Sequence, residues 1–478
     1  MQQTASGALS LPSHLLRHLL HRIATLILIT IFVGLSIDSA TADLKSTKGS
    51  VPNIVLILAD DLGYGDLGCY GCTDIRTPCL DRLATQGVRF TDAYSNASVC
   101  SPTRAAFITG RYQQRIGLEW AVYYDVPEEG LPPQETSLAT MLRHAGYFTA
   151  MSGKWHLGYG DWNPTRHGFD RFFGMLGGNV HYFEHYGRKG TPDLWLDEKP
   201  IQREGYITDL IAKHAIQFID EAADRPFFLY VPFNAPHFPF QGPADGSRLV
   251  TPKKDWQTGD RTTYAAMVES LDKNVGRIVD AIDARGIADN TLIVFTSDNG
   301  GDVHSRNAPL ARGKGQLTEG GIRVPCIARW TNKLPAGKQT AQPAITLDFS
   351  ATFLALADAT APKNRPLDGI NLMPILEGHA TPTERTLFWR RSFDPWRKNV
   401  VPHRAVRHGR WKLIDYLDGK QMLFDLNADA GETNNLLHAN PELAAALRQQ
   451  LDAWEADVDP PLYDQRSAAL KKRASRRK

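Results

Sequence analysis

Val51-Pro52-Asn53-Ile54-Val55-Leu56-Ile57-Leu58-Ala59, stopped by Asp60-Asp61, is nearly all apolar. A strand with one wet face would alternate; this run reads as a strand buried on both faces. Similar runs recur at Phe148–Ser152, Phe227–Phe233, Leu292–Phe295 and Val324–Trp330. Between them the apolar period changes to that of a helix. Thr136–Ala145 stops at Gly146, Ile207–Ala222 places Leu210, Ile211, Ala215, Phe218 and Ile219 on one face, and Tyr264–Ala284 does the same with Val268, Leu271, Val275 and Ile278. Buried strands alternating with helices predict an α/β fold, a mostly parallel sheet flanked by helices. In such sheets sites form beyond the carboxyl ends of the strands. Asp60-Asp61 and Asp298-Asn299 fall at two such ends.

The pattern changes after a Pro-containing stretch, residues 359–368. Short runs at Thr386–Arg390, Arg404–Arg407, Trp411–Asp415 and Met422–Asp425 predict an antiparallel sheet, and Pro441–Val458 a closing helix. The expected division is a leader over 1–42, a catalytic domain over 43–368, a smaller C-terminal α+β subdomain over 369–460 and a basic tail over 461–478. The chain's 478 residues, 42% hydrophobic and 22% charged, suffice for a large core. A net charge of +2 names no partner, and the body carries a mild acidic excess, so no nucleic-acid ligand is expected. The seven Lys and Arg of residues 466–478 read as a solvated end, dispensable for chemistry.

At the N-terminus Arg17 and Arg22 precede the apolar run Ile23–Ile37, and Ala40-Thr41-Ala42 supplies a small-residue cleavage site. That order is a signal peptide, so the expectation is export to the periplasm or secretion, with no stable membrane span in the mature form. Five cysteines, an odd number, set one thiol apart. Cys69 and Cys72, with Cys79 near, lack the second pair a structural zinc needs; a local disulfide or plain buried thiols fit better.

Cys100-Ser101-Pro102-Thr103-Arg104 follows the strand-like Val88–Tyr94, and Ala105–Thr109 continues a helix that Gly110 ends. Cys100 thus starts a helix, a place that favours an anion. Taken alone, such a cysteine more often just packs. Asp60, Asp61 and Asp298 would repel one another unless a cation sits among them, and their oxygens, with Asn299, suit Ca²⁺ or Mg²⁺. Lys154 and His156 follow one buried strand, His237 another, and Lys314 the Asp298 loop. Together they place positive charge where an anion would sit.

Cys100–Arg104 with Ala105–Arg111 resembles the signature of the formylglycine-dependent (type I) sulfatases, an arylsulfatase-like family of the alkaline-phosphatase-like superfamily. Ala59–Asp66, Gly153–Gly158, Ser297–Gly301, Leu423–Leu426 and Gly431–Leu436 resemble the family's other blocks, in its order, across about residues 51 to 440. The resemblance implies a sulfuric ester hydrolase in which a separate formylglycine-generating maturation enzyme oxidises Cys100. The hydrated aldehyde then attacks sulfur, the alcohol leaves, and the second hydroxyl expels sulfate. It also implies one metal ion, usually calcium, with magnesium as substitute, on Asp60, Asp61, Asp298, Asn299 and the modified Cys100. Arg104 and His156 would hold the formylglycine hydroxyls, Lys154 and Lys314 the sulfate oxygens, and His237 would protonate the leaving alcohol.

The expected substrate is a sulfated small molecule or polysaccharide, with sulfated carbohydrate preferred. The aromatic stretch 180–186, with Trp162 and Trp195, offers faces for sugar rings, and Trp389-Arg390-Arg391 offers a second anion contact. A formylglycine-dependent phosphonate or phosphate ester hydrolase is the alternative, and a non-catalytic carbohydrate binder is the other.

Overall fold

The computed structural model describes residues 51–123, 130–246, 256–392 and 401–458. The expected leader and basic tail lie outside them. The described residues form one compact unit. Its main sheet has ten strands: β1 (Asn53–Ala59), β2 (Val88–Phe90), β4 (Phe148–Lys154), β5 (Arg171–Met175), β6 (Trp195–Leu196), β7 (Lys199–Pro200), β8 (Phe227–Pro232), β9 (Thr291–Ser297), β10 (Cys326–Arg329) and β11 (Lys338–Thr340). Their order is β11-β2-β10-β9-β1-β8-β4-β5-β6-β7. The central five, β9-β1-β8-β4-β5, are parallel, so their carboxyl ends lie along one edge.

The structure adds two details to the mostly parallel sheet expected from sequence. β10 runs antiparallel to β9, because residues 298–325 form a return loop without the crossover helix that a parallel neighbour requires. The run Val88–Tyr94 divides between two sheets: β2 joins the main one, and β3 (Ala93–Tyr94) pairs with β12 (Ala344–Ile345). That break turns the chain toward Cys100.

Burial on both faces accounts for the apolar run of β1. Val55, Ile57 and Ala59 enter a core that includes residues of helices Ile207–Ala222 and Arg261–Ala284. Ile54, Leu56 and Leu58 enter a second core with residues of helices Cys100–Thr109, Leu138–His144 and Thr346–Leu356. Alternating Cβ directions thus serve two helical layers.

The C-terminal strands β13 (Thr386–Arg391), β14 (His403–His408), β15 (Trp411–Tyr416) and β16 (Gln421–Asp425) make a four-stranded antiparallel meander with helix Pro441–Asp457 against it. Leu413, Ile414 and Leu447 share a core with Tyr94, Leu317 and Ile345 of the main body. Every cysteine is a free thiol, so of the two readings of Cys69 and Cys72 the unpaired one holds, and the odd count does not single out Cys100. No helix among the described residues is long and apolar enough to cross a membrane.

Candidate active site

Four central strands deliver the site. β1 ends in Asp60-Asp61, β9 in Asp298-Asn299, β4 in Lys154 with His156 two residues on, and β8 in the loop that carries His237. Strand pairing extends into these loops. Asp60 N–H donates to Ala235 O and Asp298 N–H to Ala59 O, both at 3.1 Å. The carboxylates are therefore held by sheet backbone rather than by a floppy loop. Asp61 and His156 sit at φ 65° and 56°, a left-handed conformation that non-glycine residues pay for and that concentrates at functional sites.

Cys100 starts its helix at the floor of a cleft of about 710 Å³, also lined by His156, His237 and Lys314. All ten residues of the helix are buried. Thr103 Oγ1 accepts from Ala97 N–H at 3.0 Å, fixing the segment before Cys100. Ser101 Oγ donates to His156 O at 2.8 Å and accepts from Val122 N–H at 3.0 Å, joining the helix start to two cleft walls. Gly315 N–H donates to Ser98 O at 2.8 Å and so places the Lys314 loop beside Cys100.

The charges interlock. Arg104 grips Asp298 Oδ2 through Nε at 3.1 Å and a terminal nitrogen at 2.8 Å, and donates to Lys154 O at 2.7 Å. Lys154 Nζ binds Asp60 Oδ2. Lys314 Nζ lies 2.7 Å from Asp61 Oδ2, and His237 Nε2 is 3.5 Å from the same oxygen. Asn299 Nδ2 donates to Asp61 Oδ1 at 2.7 Å. All of these groups are buried. Burial pushes Asp61 up, but Lys314 and His237 more than offset it and hold its carboxyl well below the usual range. Burial and the neighbouring Asp60 push Asp298 up to about 6. Burial, then Lys314, pulls His237 down to about 3; burial, then Lys154 and Arg104, takes His156 well below its ordinary value. Burial raises the Cys100 thiol, with Lys154 and Lys314 opposing.

Two buried oxygens in this cluster, Asp60 Oδ1 and Asn299 Oδ1, have no hydrogen-bond partner. An unpaired buried acceptor is costly, and two of them among the carboxylates of Asp60, Asp61 and Asp298 and the Asn299 amide fit a hard cation better than any further side chain. Among the described residues, one atom each of Asp60, Asp61 and His237 lies within 4.8 Å of the others. His237 thus borders the all-oxygen set expected from sequence.

Residues 52–359 match the family described as Sulfatase, and residues 313–457 match "N-sulphoglucosamine sulphohydrolase, C-terminal". This chain belongs to the sulfatase family. The sulfatase is 34% identical to human Arylsulfatase A, over 85% of this chain and 88% of that protein. It is 33% identical to human N-acetylgalactosamine-6-sulfatase, over 83% of each. The structure of Ps i-CgsB in complex with k-i-k-neocarrahexaose superposes with a TM-score of 0.79 at 35% identity, covering 87% of this chain and 95% of that one. A sulfuric ester hydrolase is therefore the established class.

The structure brings together Asp60, Asp61, Cys100, Arg104, Lys154, His156, His237, Asp298, Asn299 and Lys314, spread over 255 positions of sequence. It does not bring in Trp389-Arg390-Arg391. Trp389 is buried with its indole N–H on Ser95 O at 2.8 Å, and Arg390 closes on both oxygens of Glu119. Arg390 and Arg391 line a different cleft, of about 570 Å³. The aromatic stretch 180–186 is mostly interior: Val180, His181, Tyr182 and His185 are buried. Tyr159, Arg188, Lys189 and Phe238 line the cleft at Cys100 and were not singled out from sequence; Trp195 was, and it does line it. The Gly187–Gly190 pair flanking two cations was the available signal.

Proposed function

We propose that the sulfatase hydrolyses sulfate monoesters of carbohydrates, using a formylglycine made from Cys100 and one divalent ion, calcium or magnesium, on Asp60, Asp61, Asp298 and Asn299. The observation that carries this reading is Cys100 at the start of a buried helix, in one cleft with Lys314, His156 and His237 and beside two unpartnered metal-seeking oxygens. When present, the formylglycine hydrate supplies an oxygen nucleophile and a second hydroxyl that expels sulfate. When bound, the ion supplies Lewis acidity and orients the ester.

The remaining work belongs to side chains. Arg104, locked on Asp298 and the Lys154 carbonyl, and His156, held through Ser101 and Val122, orient the group at position 100. Lys154 and Lys314 carry the charge that meets the sulfate oxygens, and a divalent ion on Asp60 and Asp61 would compete for the carboxylates they now bind. His237 lines the same cleft and would protonate the leaving alcohol, a role that requires a bound anion to raise the low proton affinity it has in the bare cluster. Three fixed cations facing three carboxylates leave the bare cluster near neutrality, so an added dication makes it a site for an anion. Carbohydrate as the substrate class rests on N-acetylgalactosamine-6-sulfatase and the neocarrahexaose complex among the similar proteins. Export rests on the Arg17–Ala42 leader.

Mass analysis of the peptide spanning Cys100 tests the mechanism. An aldehyde or its hydrate at position 100 in active protein is the expected result. Full turnover of a sulfate ester by protein carrying only the free thiol there overturns it.

A further inference from the structure

Arg188 and Lys189 occupy the tip of a tight turn on the rim of the catalytic cleft. Gly190 N–H donates to Gly187 O and Gly187 N–H to Thr191 O, both at 2.8 Å, and Tyr186 bridges Pro192. The base of this hairpin is anchored deep in the protein. His181 N–H donates to Tyr186 O at 2.8 Å, the two rings stack at 4.8 Å, and Asp193 N–H donates to His185 O at 2.9 Å. Asp193 is buried, and its carboxylate turns inward to the N–H groups of Leu176 and Gly177, at 3.1 and 2.8 Å. One residue further, Gly178 leaves room for the His156 ring: a Cβ there would stand 2.6 Å from His156 Nε2. The hairpin is therefore a rigid arm tied to the backbone beside the catalytic groups.

Two cations of the arm lie on its cleft side. Arg188 and Lys189 are exposed and line the same cleft as Cys100 and Lys314. No carboxylate of the described residues pairs with Arg188. The arm's exposed acid, Glu184, is not among the cleft-lining residues, and Asp193 spends its charge inside, on the N–H groups already named and on the Trp195 indole at 2.9 Å. That last bond fixes a half-buried tryptophan face in the same cleft. A fixed aromatic face suits a sugar ring, and an adjacent guanidinium suits a planar or tetrahedral oxyanion.

We propose that Arg188 forms a second anion subsite, so that the preferred substrate is a carbohydrate bearing another sulfate or carboxylate besides the sulfate that is cleaved. This rests on the carbohydrate sulfatase reading above. The arm acts on binding: the second anion docks the sugar across Trp195 and thereby delivers the scissile ester to the floor of the cleft.

The test compares kcat/KM for 4-nitrophenyl sulfate, a neutral disaccharide with one sulfate, the same disaccharide with a second sulfate, and its counterpart with one sulfate and one uronate. Formylglycine-bearing wild-type enzyme should favour one of the two doubly anionic sugars over the singly sulfated one, and which one identifies the anion. Arg188→Ala should lower that preference at least about tenfold, the scale of one lost charge-assisted contact, mainly through KM. Arg188→Lys should restore part of it, and rising salt should erode it. Equal preference in wild type and Arg188→Ala, or no preference for a second anion in wild type, overturns the subsite. Absence of turnover with all four compounds would instead count against the carbohydrate sulfatase reading itself. As a check free of catalysis, calorimetric titration of the two doubly anionic disaccharides into folded Cys100→Ala should show the same loss of affinity on adding Arg188→Ala.

Discussion

Glu432 accepts the backbone N–H of Glu319 at 2.6 Å, and both carboxylates close on the Lys412 ammonium, at 2.9 and 2.8 Å. Glu319 also accepts from Tyr94 at 2.6 Å and pairs with Arg323 at 3.3 Å. This buried cluster pins the short helix Glu319–Ile322 to strand β15 and to the Gly431–Leu436 block. The helix in turn meets the Asp298–Gly301 loop, since Gly300 N–H donates to Gly321 O at 3.0 Å. The C-terminal block thus reaches Gly300, next to Asn299, through one carboxylate-to-backbone contact and one backbone contact.

The two carboxylates that share Lys412 shift in opposite directions. Burial opposes ionisation of Glu319, but Lys412, Arg323 and Arg407 outweigh it and hold the carboxyl down to about 2. Burial, offset only in part by Lys412, raises Glu432. For Glu319 the folded value lies below the ordinary 4.5. Its stabilisation is therefore complete above pH 4.5 and lost as the pH falls toward 2. Glu319→Gln should cost about 3 kcal/mol at pH 7, as expected for breaking one partner out of a buried ion cluster. The gap from wild type in urea melts should shrink from pH 4.5 downward. A gap that is independent of pH would count against this account.

Gly300→Ala should uncouple the helix from the Asp298–Gly301 loop. A Cβ at Gly300 would stand 1.9 Å from Gly320 O, a backbone atom that cannot swing aside. The expected outcome is a loss of about 2 kcal/mol or more, with weakened calcium binding measured by titration. Unchanged calcium affinity in a folded variant would show that Asn299 is positioned independently of this contact.

Chelation should abolish turnover and lower the melting temperature, and calcium or magnesium should restore both. An ion at 100 times its dissociation constant stabilises the fold by about 2.7 kcal/mol. Asp60→Asn should fold but lose this response, because the orphaned Asp60 Oδ1 forfeits its charge. Two zinc ions per chain on metal analysis would refute the single hard-cation site.

The two histidines should separate by leaving group. His237→Ala should slow a sugar sulfate by about 10²–10³, and 4-nitrophenyl sulfate, whose leaving group needs little protonation, far less. His156→Ala should slow both alike if, as proposed, His156 orients the group at position 100. Equal sensitivity of the two substrates to His237→Ala would remove the general-acid role.

The sequence by itself determined the central strands, the helices between them and the residues at the strand ends. A strand buried on both faces must be apolar at every position, and a polar pair such as Asp60-Asp61 can only follow it where the sheet opens to solvent. The Asp60, Cys100, Lys154 and Asp298 blocks, in that order, likewise pointed to the family. Pairing direction was decided elsewhere, by what each connection can span: β10 reverses for want of a crossover helix, and Val88–Tyr94 splits between two sheets. Only the tertiary structure decided which charges face one another. Arg390 looked free in sequence but lies on Glu119, 271 residues away, while Arg188 escaped notice until the hairpin carried it to the cleft. Periodicity encodes which face of an element is buried. It carries no record of which distant partner neutralises a charge, because that depends on packing between elements far apart in the chain.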